Sequence, residues 1–151
     1  MTAILKTDGR LFPYRAIVLG VGVAYVVLAY WGFFSLSDQT QRGRGLYGGN
    51  EGDLVLDTIG VSTVSSLVHA LCGVFLIMAG FTLARSAMFG WAGAGVLGVL
   101  GVYAVVACLA DYGDALNLTW ANLWLYWVSA AIVAIAVYLS RRRAQPAEAK
   151  Y

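Results

Sequence analysis

The chain has 151 residues, 60% of them hydrophobic and 12% charged, with a formal net charge of +2 and a mean hydropathy of +0.74. A water-soluble domain of this size carries roughly twice that share of charge, and a net charge so small and scattered provides no basic stripe for a nucleic acid. Composition thus argues against a nucleic-acid-binding module and an ordinary soluble enzyme, and points to a polytopic membrane protein.

Lys6, Arg10 and Arg15 precede the first apolar run, over 16–36. The arrangement has the charge pattern of a signal peptide. The run is nevertheless about 20 residues long and ends in "FFSL" with no small-x-small cleavage site, so a retained first span is expected. Trp31, Phe33 and Phe34 close it as interfacial anchors. A polar, glycine-rich segment follows over 37–58. Within it "LYGGNEGDLVLD" (46–57) predicts a small hairpin, a glycine-rich turn between two short apolar runs. Its Glu51, Asp53 and Asp57 are expected to form a solvated acidic face. "GGNEGD" is a single imperfect copy of a calcium-roll repeat, and a roll needs stacked turns to supply its ligands.

The second span is expected over 59–83 and contains "VSTVSSLVHALCGV", with the only histidine of the chain. Ser62, Ser65, Ser66, His69 and Gly73 fall on one helical face. Counted from Ile59, His69 lies about 15 Å deep, near mid-membrane. An ionisable residue there faces the bundle interior and requires a partner, and an uncharged imidazole carries one donor and one acceptor. Depth counting offers Tyr126 at about 12 Å, Tyr103 at about 10 Å and Tyr25 at about 16 Å. Tyr126 is the best placed. Asn122, which is shallower, is expected to bond Ser62 or Ser65. The plain role for this set is interhelical polar glue. The alternative is a small-ligand site in the outer half of the bundle (quinone, lipid or haem), built from His69, Tyr126, Ser65 and Ser66. Bis-histidine haem would need a second histidine from another chain. A Ser65–His69 dyad has helical spacing but no oxyanion hole and no third orienting group. Transport has no buried carboxylate to use. Cys72 and Cys108 form no CxxC and no zinc pattern with the lone histidine, so they read as buried thiols. No catalytic residue, metal site or resident cofactor is expected.

The third span, over 88–110, follows a short turn (84–87) containing Arg85. It holds "GAGVLG" (93–98), which satisfies G-x-G-x-x-G. The glycines lie inside an apolar helix, whereas the dinucleotide fingerprint requires a strand, a loop and a water-filled crevice. Gly90, Ala94 and Gly98 instead repeat every four residues, a small-xxx-small face for close helix approach in lipid, and Gly73 is a packing glycine of the second span. The first span has a lesser version in Gly20 and Ala24. An acidic link (111–117) leads to the fourth span, over 118–139, opened by Trp120 and Trp124 and followed by Arg141, Arg142 and Arg143. Asn117-Leu-Thr119 matches a glycosylation sequon but lies too close to the membrane to be used.

Eight of the ten basic residues fall at the N-terminus, in the 84–87 turn and in the C-terminal tail, and six of the eight acidic residues fall on the opposite side. The positive-inside rule places both termini in the cytoplasm of a bacterial plasma membrane protein. The expected fold is an all-α, single-domain, four-span membrane bundle. Its expected role is that of a scaffold or accessory subunit of unknown activity, associating with itself or with a larger membrane complex in the lipid. A small-ligand binder and a small transporter are the alternatives.

Taken together, the order of features resembles a family of small four-span membrane proteins, mainly actinobacterial, catalogued as a domain of unknown function. The likeness runs over most of 12–143. It rests on the glycine-rich outer loop, "VSTVSSLVHALCGV" and the "ANLWLYW" that opens the fourth span. The resemblance implies an Asn-x-x-His-x-x-x-Gly pattern in span 2, often with a further His just before the Asn, and a Trp-x-His in span 4. His69, Gly73 and Trp124 match. Ser66 stands in the Asn position, Ser65 in that of the earlier His, and Tyr126 in that of the span 4 His. A paired-histidine ligand site would therefore be half lost in this chain, whereas Ser and Tyr can still serve helix-to-helix hydrogen bonding.

Overall fold

A computed structural model describes residues 2–40, 54–55, 59–83, 87–110 and 116–144. Glu51, Asp53, Asp57 and Arg85, named above, lie outside the described residues, as do 111–115 of the acidic link. The elements run α1 (Thr2–Thr40), β1 (Leu54–Val55), β2 (Ile59–Gly60), α2 (Thr63–Thr82), α3 (Met88–Ala110) and α4 (Trp120–Ala144). Among the described residues, four stretches are long and apolar enough to cross a bilayer: Pro13–Phe34, Thr63–Thr82, Met88–Ala110 and Trp120–Arg142. The third coincides with its expected bounds. Helices α1 and α4 run past theirs, because hydropathy marks the lipid-matched part of a helix and not the point where its backbone stops being helical.

The second span differs for a definite reason. Ile59 and Gly60 do not begin a helix; they pair antiparallel with β1, Leu54 opposite Gly60 and Val55 opposite Ile59. A hairpin is therefore present, but not the one expected over 46–57: its second strand is Ile59–Gly60, the first residues of the apolar run, and the glycine-rich stretch expected to form the turn lies outside the described residues. Val61 is apolar because it is buried beneath this end of the bundle, 1% exposed. Helix α2 starts after Ser62, an N-cap in extended conformation. The Ser62 hydroxyl accepts from the Ser65 N–H at 3.0 Å and the Ser65 hydroxyl accepts from the Ser62 N–H at 2.8 Å. This is a capping box with serine in place of the usual Glu or Gln. Counted from Thr63, His69 lies about 9 Å below the helix start rather than about 15 Å.

The helices form a ring in which each packs on the next and α4 returns to α1, an up-and-down bundle. Lipid tails are as apolar as leucine, so packing and hydrogen bonds hold such a bundle together rather than expulsion of water. The α1–α2 seam shows how close the backbones come. A Cβ at Gly73 would lie 2.8 Å from both the Gly22 carbonyl oxygen and the Val26 nitrogen, and one at Gly22 would lie 2.9 Å from the Gly73 carbonyl. The expected small pair on α1, Gly20 and Ala24, is instead exposed, and Gly22 makes the crossing. On α3, a Cβ at Gly90 would collide with Val137, and one at Gly101 would lie 3.0 Å from the Trp127 ring. At the end bearing the arginines, Arg15 donates to the Phe81 carbonyl at 3.4 Å, meeting one of the acceptors that the last turn of α2 leaves open.

Replacing Gly73 by Leu must push α1 from α2. Gly73→Leu is expected to lower stability by about 1–3 kcal/mol, the usual overpacking cost. Gly95→Leu, whose Cβ meets nothing within 4 Å, should leave stability unchanged. Unfolding in mixed micelles with rising dodecyl sulfate content measures both.

Candidate functional site

Two polar layers cross the bundle, both near the hairpin end. The shallower joins β2 to the start of α4. Asn117 takes a left-handed backbone, φ 50°, a conformation that Asn tolerates better than most residues. Its side-chain amide donates to the Val61 carbonyl at 3.1 Å. A Cβ at Gly60 would run into the Asn117 carbonyl, so only glycine permits this approach. One turn on, the Asn122 amide bonds both backbone groups of Gly60: its Oδ1 accepts from the N–H at 3.0 Å and its Nδ2 donates to the carbonyl at 3.1 Å. The side chain thus does for the hairpin edge what a third strand would do. The same Oδ1 accepts from the Thr119 N–H at 3.1 Å and from the Thr119 hydroxyl at 2.7 Å. Asn122 was expected to reach Ser62 or Ser65; those serines are committed to each other in the α2 cap, and the free edge of β2 takes its amide instead.

The deeper layer holds His69. Tyr126 Oη and His69 Nε2 form a hydrogen bond of 2.9 Å between α4 and α2. Tyr25 on α1 completes the group. Its ring stands edge-on to the imidazole, with centroids 5.6 Å apart, and stacks on Tyr126 at 6.3 Å. His69 and Tyr126 are wholly buried and Tyr25 is 1% exposed. Three rings from three helices therefore meet in the interior. They do so because Tyr25, His69 and Tyr126 each lie on the inward face of their helix, where the buried core includes Val18, Cys72, Leu76, Ala130 and Val133. Such aromatic pairs add about 0.5–1.5 kcal/mol beyond their burial.

Three buried polar atoms in this layer have no hydrogen-bond partner among the described residues: Tyr25 Oη, Ser66 Oγ and His69 Nδ1. Ser129 lies near the Tyr25 hydroxyl, but the pair does not reach hydrogen-bonding geometry. Ser66 Oγ rests against Gly32 of α1, where a Cβ would overlap it. If the Tyr126 hydroxyl donates to Nε2, Nδ1 is a donor; if it accepts, Nδ1 is an acceptor. In either tautomer one capacity of the ring is left unmet.

Of the residues expected at a ligand site, His69 and Tyr126 are in contact and Ser66 lies one turn away, while the Ser65 hydroxyl is used in the cap. Tyr103 is 41% exposed on the lipid side of α3 and takes no part. Of the expected packing residues, Gly73, Gly90 and Ala94 face the interior, and Gly98 has open space beside it. Sequence reasoning missed the Asn122–Gly60 pairing and the Ser62 cap. The cap had a signal, since Ser62-x-x-Ser65 is a capping box with a shorter partner. The pairing had none, because a strand edge of two residues leaves no periodic trace. Between α2 and α3 lies an apolar groove of about 320 Å³, lined among others by Leu71, Phe75, Gly93 and Val96 and open to the lipid side.

The two layers should differ in weight. Tyr126→Phe and His69→Leu each remove one half of a pair, and a double-mutant cycle between them is expected to give a coupling of about 0.6–1.7 kcal/mol. Asn122→Ala should cost more than Tyr126→Phe, because it strands the Gly60 carbonyl and leaves the Gly60 N–H only its longer bond of 3.4 Å to the Thr119 hydroxyl. Unfolding in mixed micelles ranks the three variants.

No curated protein and no solved structure matches the chain. One family model does, over residues 15–139, described as "Domain of unknown function (DUF4383)". That stretch includes part of every span and all of the buried polar centre, and the chain belongs to this family of unknown function.

Proposed function

We propose that this multi-pass membrane protein works by association rather than catalysis, with a second copy of itself or as an accessory subunit of a larger membrane complex. One contrast carries the proposal. The chemistry-bearing side chains of the spans are enclosed: His69, Tyr126, Ser65, Ser66 and Asn122 are each 0% exposed. No substrate meets them unless the bundle opens. The face built for close approach is by contrast open. Ala92, Gly95, Val99, Val102 and Val106 are all exposed and recur at spacings of three and four along α3, and a Cβ at Gly95 or Gly98 meets nothing within 4 Å. In lipid, small residues on such a seam let a second helix come near enough for packing to hold it. The face expected from sequence, Gly90-Ala94-Gly98, is turned by one position: Gly90 and Ala94 are used within the bundle, and Gly95 takes their place outside. The distribution of basic residues supports a plasma-membrane setting with both termini in the cytoplasm.

A second proposal rests on the unpartnered atoms. Each buried polar group without a partner costs about 1–3 kcal/mol, and the unmet Tyr25 Oη and His69 Nδ1, on rings whose centroids lie 5.6 Å apart, favour a small polar guest beside them, a water or the oxygen of a lipid-soluble ligand such as a quinone. Here His69 would orient the guest rather than react with it.

Native mass spectrometry of the intact chain in mild detergent tests both. Association predicts complexes larger than one chain, lost in Gly95→Leu while the monomer stays folded; a wild-type chain that is only monomeric, with no companion protein, contradicts it. A ligand predicts a stoichiometric added mass that disappears in His69→Leu; its absence from wild type contradicts binding of anything larger than water.

A further inference from the structure

At the opposite end from the hairpin, where the first turn of α3 meets the last turns of α4, the surface encloses a recess of about 360 Å³ lined by Trp91, Tyr138, Arg141 and Arg142. We propose that it is a binding site for the headgroup of an anionic glycerophospholipid.

Depth is the first argument. The membrane-crossing part of α3 begins at Met88 and that of α4 ends at Arg142. The recess therefore lies where hydrocarbon gives way to headgroups, the level at which Trp and Tyr anchor. Charge is the second. Two arginines line the recess, and neither α3 nor α4 contains any Asp or Glu to neutralise them. Guanidinium forks match the oxygens of a phosphate diester in pairs, which an ammonium cannot do. Order is the third. The Arg142 guanidinium lies over the Tyr138 ring, 4.8 Å from its centroid. This cation–π contact restrains the side chain before any ligand arrives, which lowers the entropic cost of binding. Trp91 and Tyr138 are 40% and 44% exposed, so a lipid can enter sideways from the bilayer. The Trp91 indole N–H and the Tyr138 hydroxyl are donors suited to the remaining phosphate and glycerol oxygens. A zwitterionic headgroup would bring its own cation towards two arginines, so the site should discriminate by net charge.

The test is lipid retention by this 151-residue chain in native mass spectrometry, titrated with phosphatidylglycerol and phosphatidylcholine of identical acyl chains. The expected result is a preference for phosphatidylglycerol on the order of 30-fold, as two arginines at a membrane surface supply. In R141Q/R142Q the preference should fall to near parity. In R141K/R142K, which keeps the charge and loses the fork geometry, it should be only partly retained. Equal retention of the two lipids by the wild type would overturn the proposal, as would undiminished preference in R141Q/R142Q. Full preference in R141K/R142K would reduce the site to diffuse charge and also overturn it. Displacement of the lipid by inorganic phosphate at matching concentration would make it a general anion site instead.

Discussion

The hydrogen bond between Tyr126 Oη and His69 Nε2 is formed where neither partner can turn to water. A polar side chain inside a lipid-embedded bundle has to find its partner in the protein, and that requirement fixes how α2 and α4 are rotated towards each other. Once His69 faces Tyr126, the helical period turns Ser66 and Gly73 towards α1 and leaves Leu67, Leu71 and Val74 for the lipid. Tyr25 then closes the centre from α1. The bond itself is modest, since hydrogen bonds between membrane helices contribute about 0.6–2 kcal/mol. Its larger effect is on specificity: any other rotation of α2 would bury an unpaired imidazole or expose it to hydrocarbon.

Close packing and the polar layers depend on each other. The Gly22–Gly73 crossing brings α1 and α2 near enough for Tyr25 to reach the imidazole, and the ring of Tyr25 prevents α1 from sliding away. Nearer the hairpin, Asn122 ties the β2 edge to α4 while the Ser62–Ser65 cap fixes where α2 begins. α3 stands apart from both layers. It packs on α4 through Gly90 and Gly101 and leaves a groove against α2. Helices α1, α2 and α4 thus form a polar-locked core, to which α3 is joined by close packing, by the edge-on Phe75–Phe89 ring pair and by the Cys108 thiol against the Leu118 carbonyl.

The spans were legible because a bilayer demands runs of about 20 apolar residues and little else disguises them. Met88–Ala110 could be read to the residue, since polar sequence bounds it on both sides. The start of α2 could not, because Ile59 and Val61 are as apolar under a hairpin as in a helix. The partner of His69 was legible through depth, as few hydrogen-bonding side chains share its level. The partner of Asn122 was not, since backbone groups of a strand edge are present at every residue and no sequence pattern marks the one left free. The inward rotation of Gly90 and Ala94 was hidden for a related reason. A helix as glycine-rich as α3 carries small residues on several faces, and only its neighbours decide which face is buried.

Ser66 and Tyr126 differ in what they achieve. The short Ser66 side chain ends against Gly32 with no hydrogen-bond partner for its hydroxyl among the described residues, whereas Tyr126 finds a bond. The centre thus joins α2 to α4 while leaving polar capacity unused on the α1 side. The central claim is that contact, and the single histidine makes it directly measurable. Solid-state NMR on protein in lipid bilayers, with ¹⁵N-labelled histidine and ¹³C-labelled tyrosine, reports the transfer from His69 Nε2 to the Tyr126 ring carbon bearing the hydroxyl. A hydrogen bond of 2.9 Å predicts strong transfer from that nitrogen, abolished in Tyr126→Leu and retained in Tyr103→Leu. Absence of transfer, or a signal that survives Tyr126→Leu, would show that the bundle is not locked in this way.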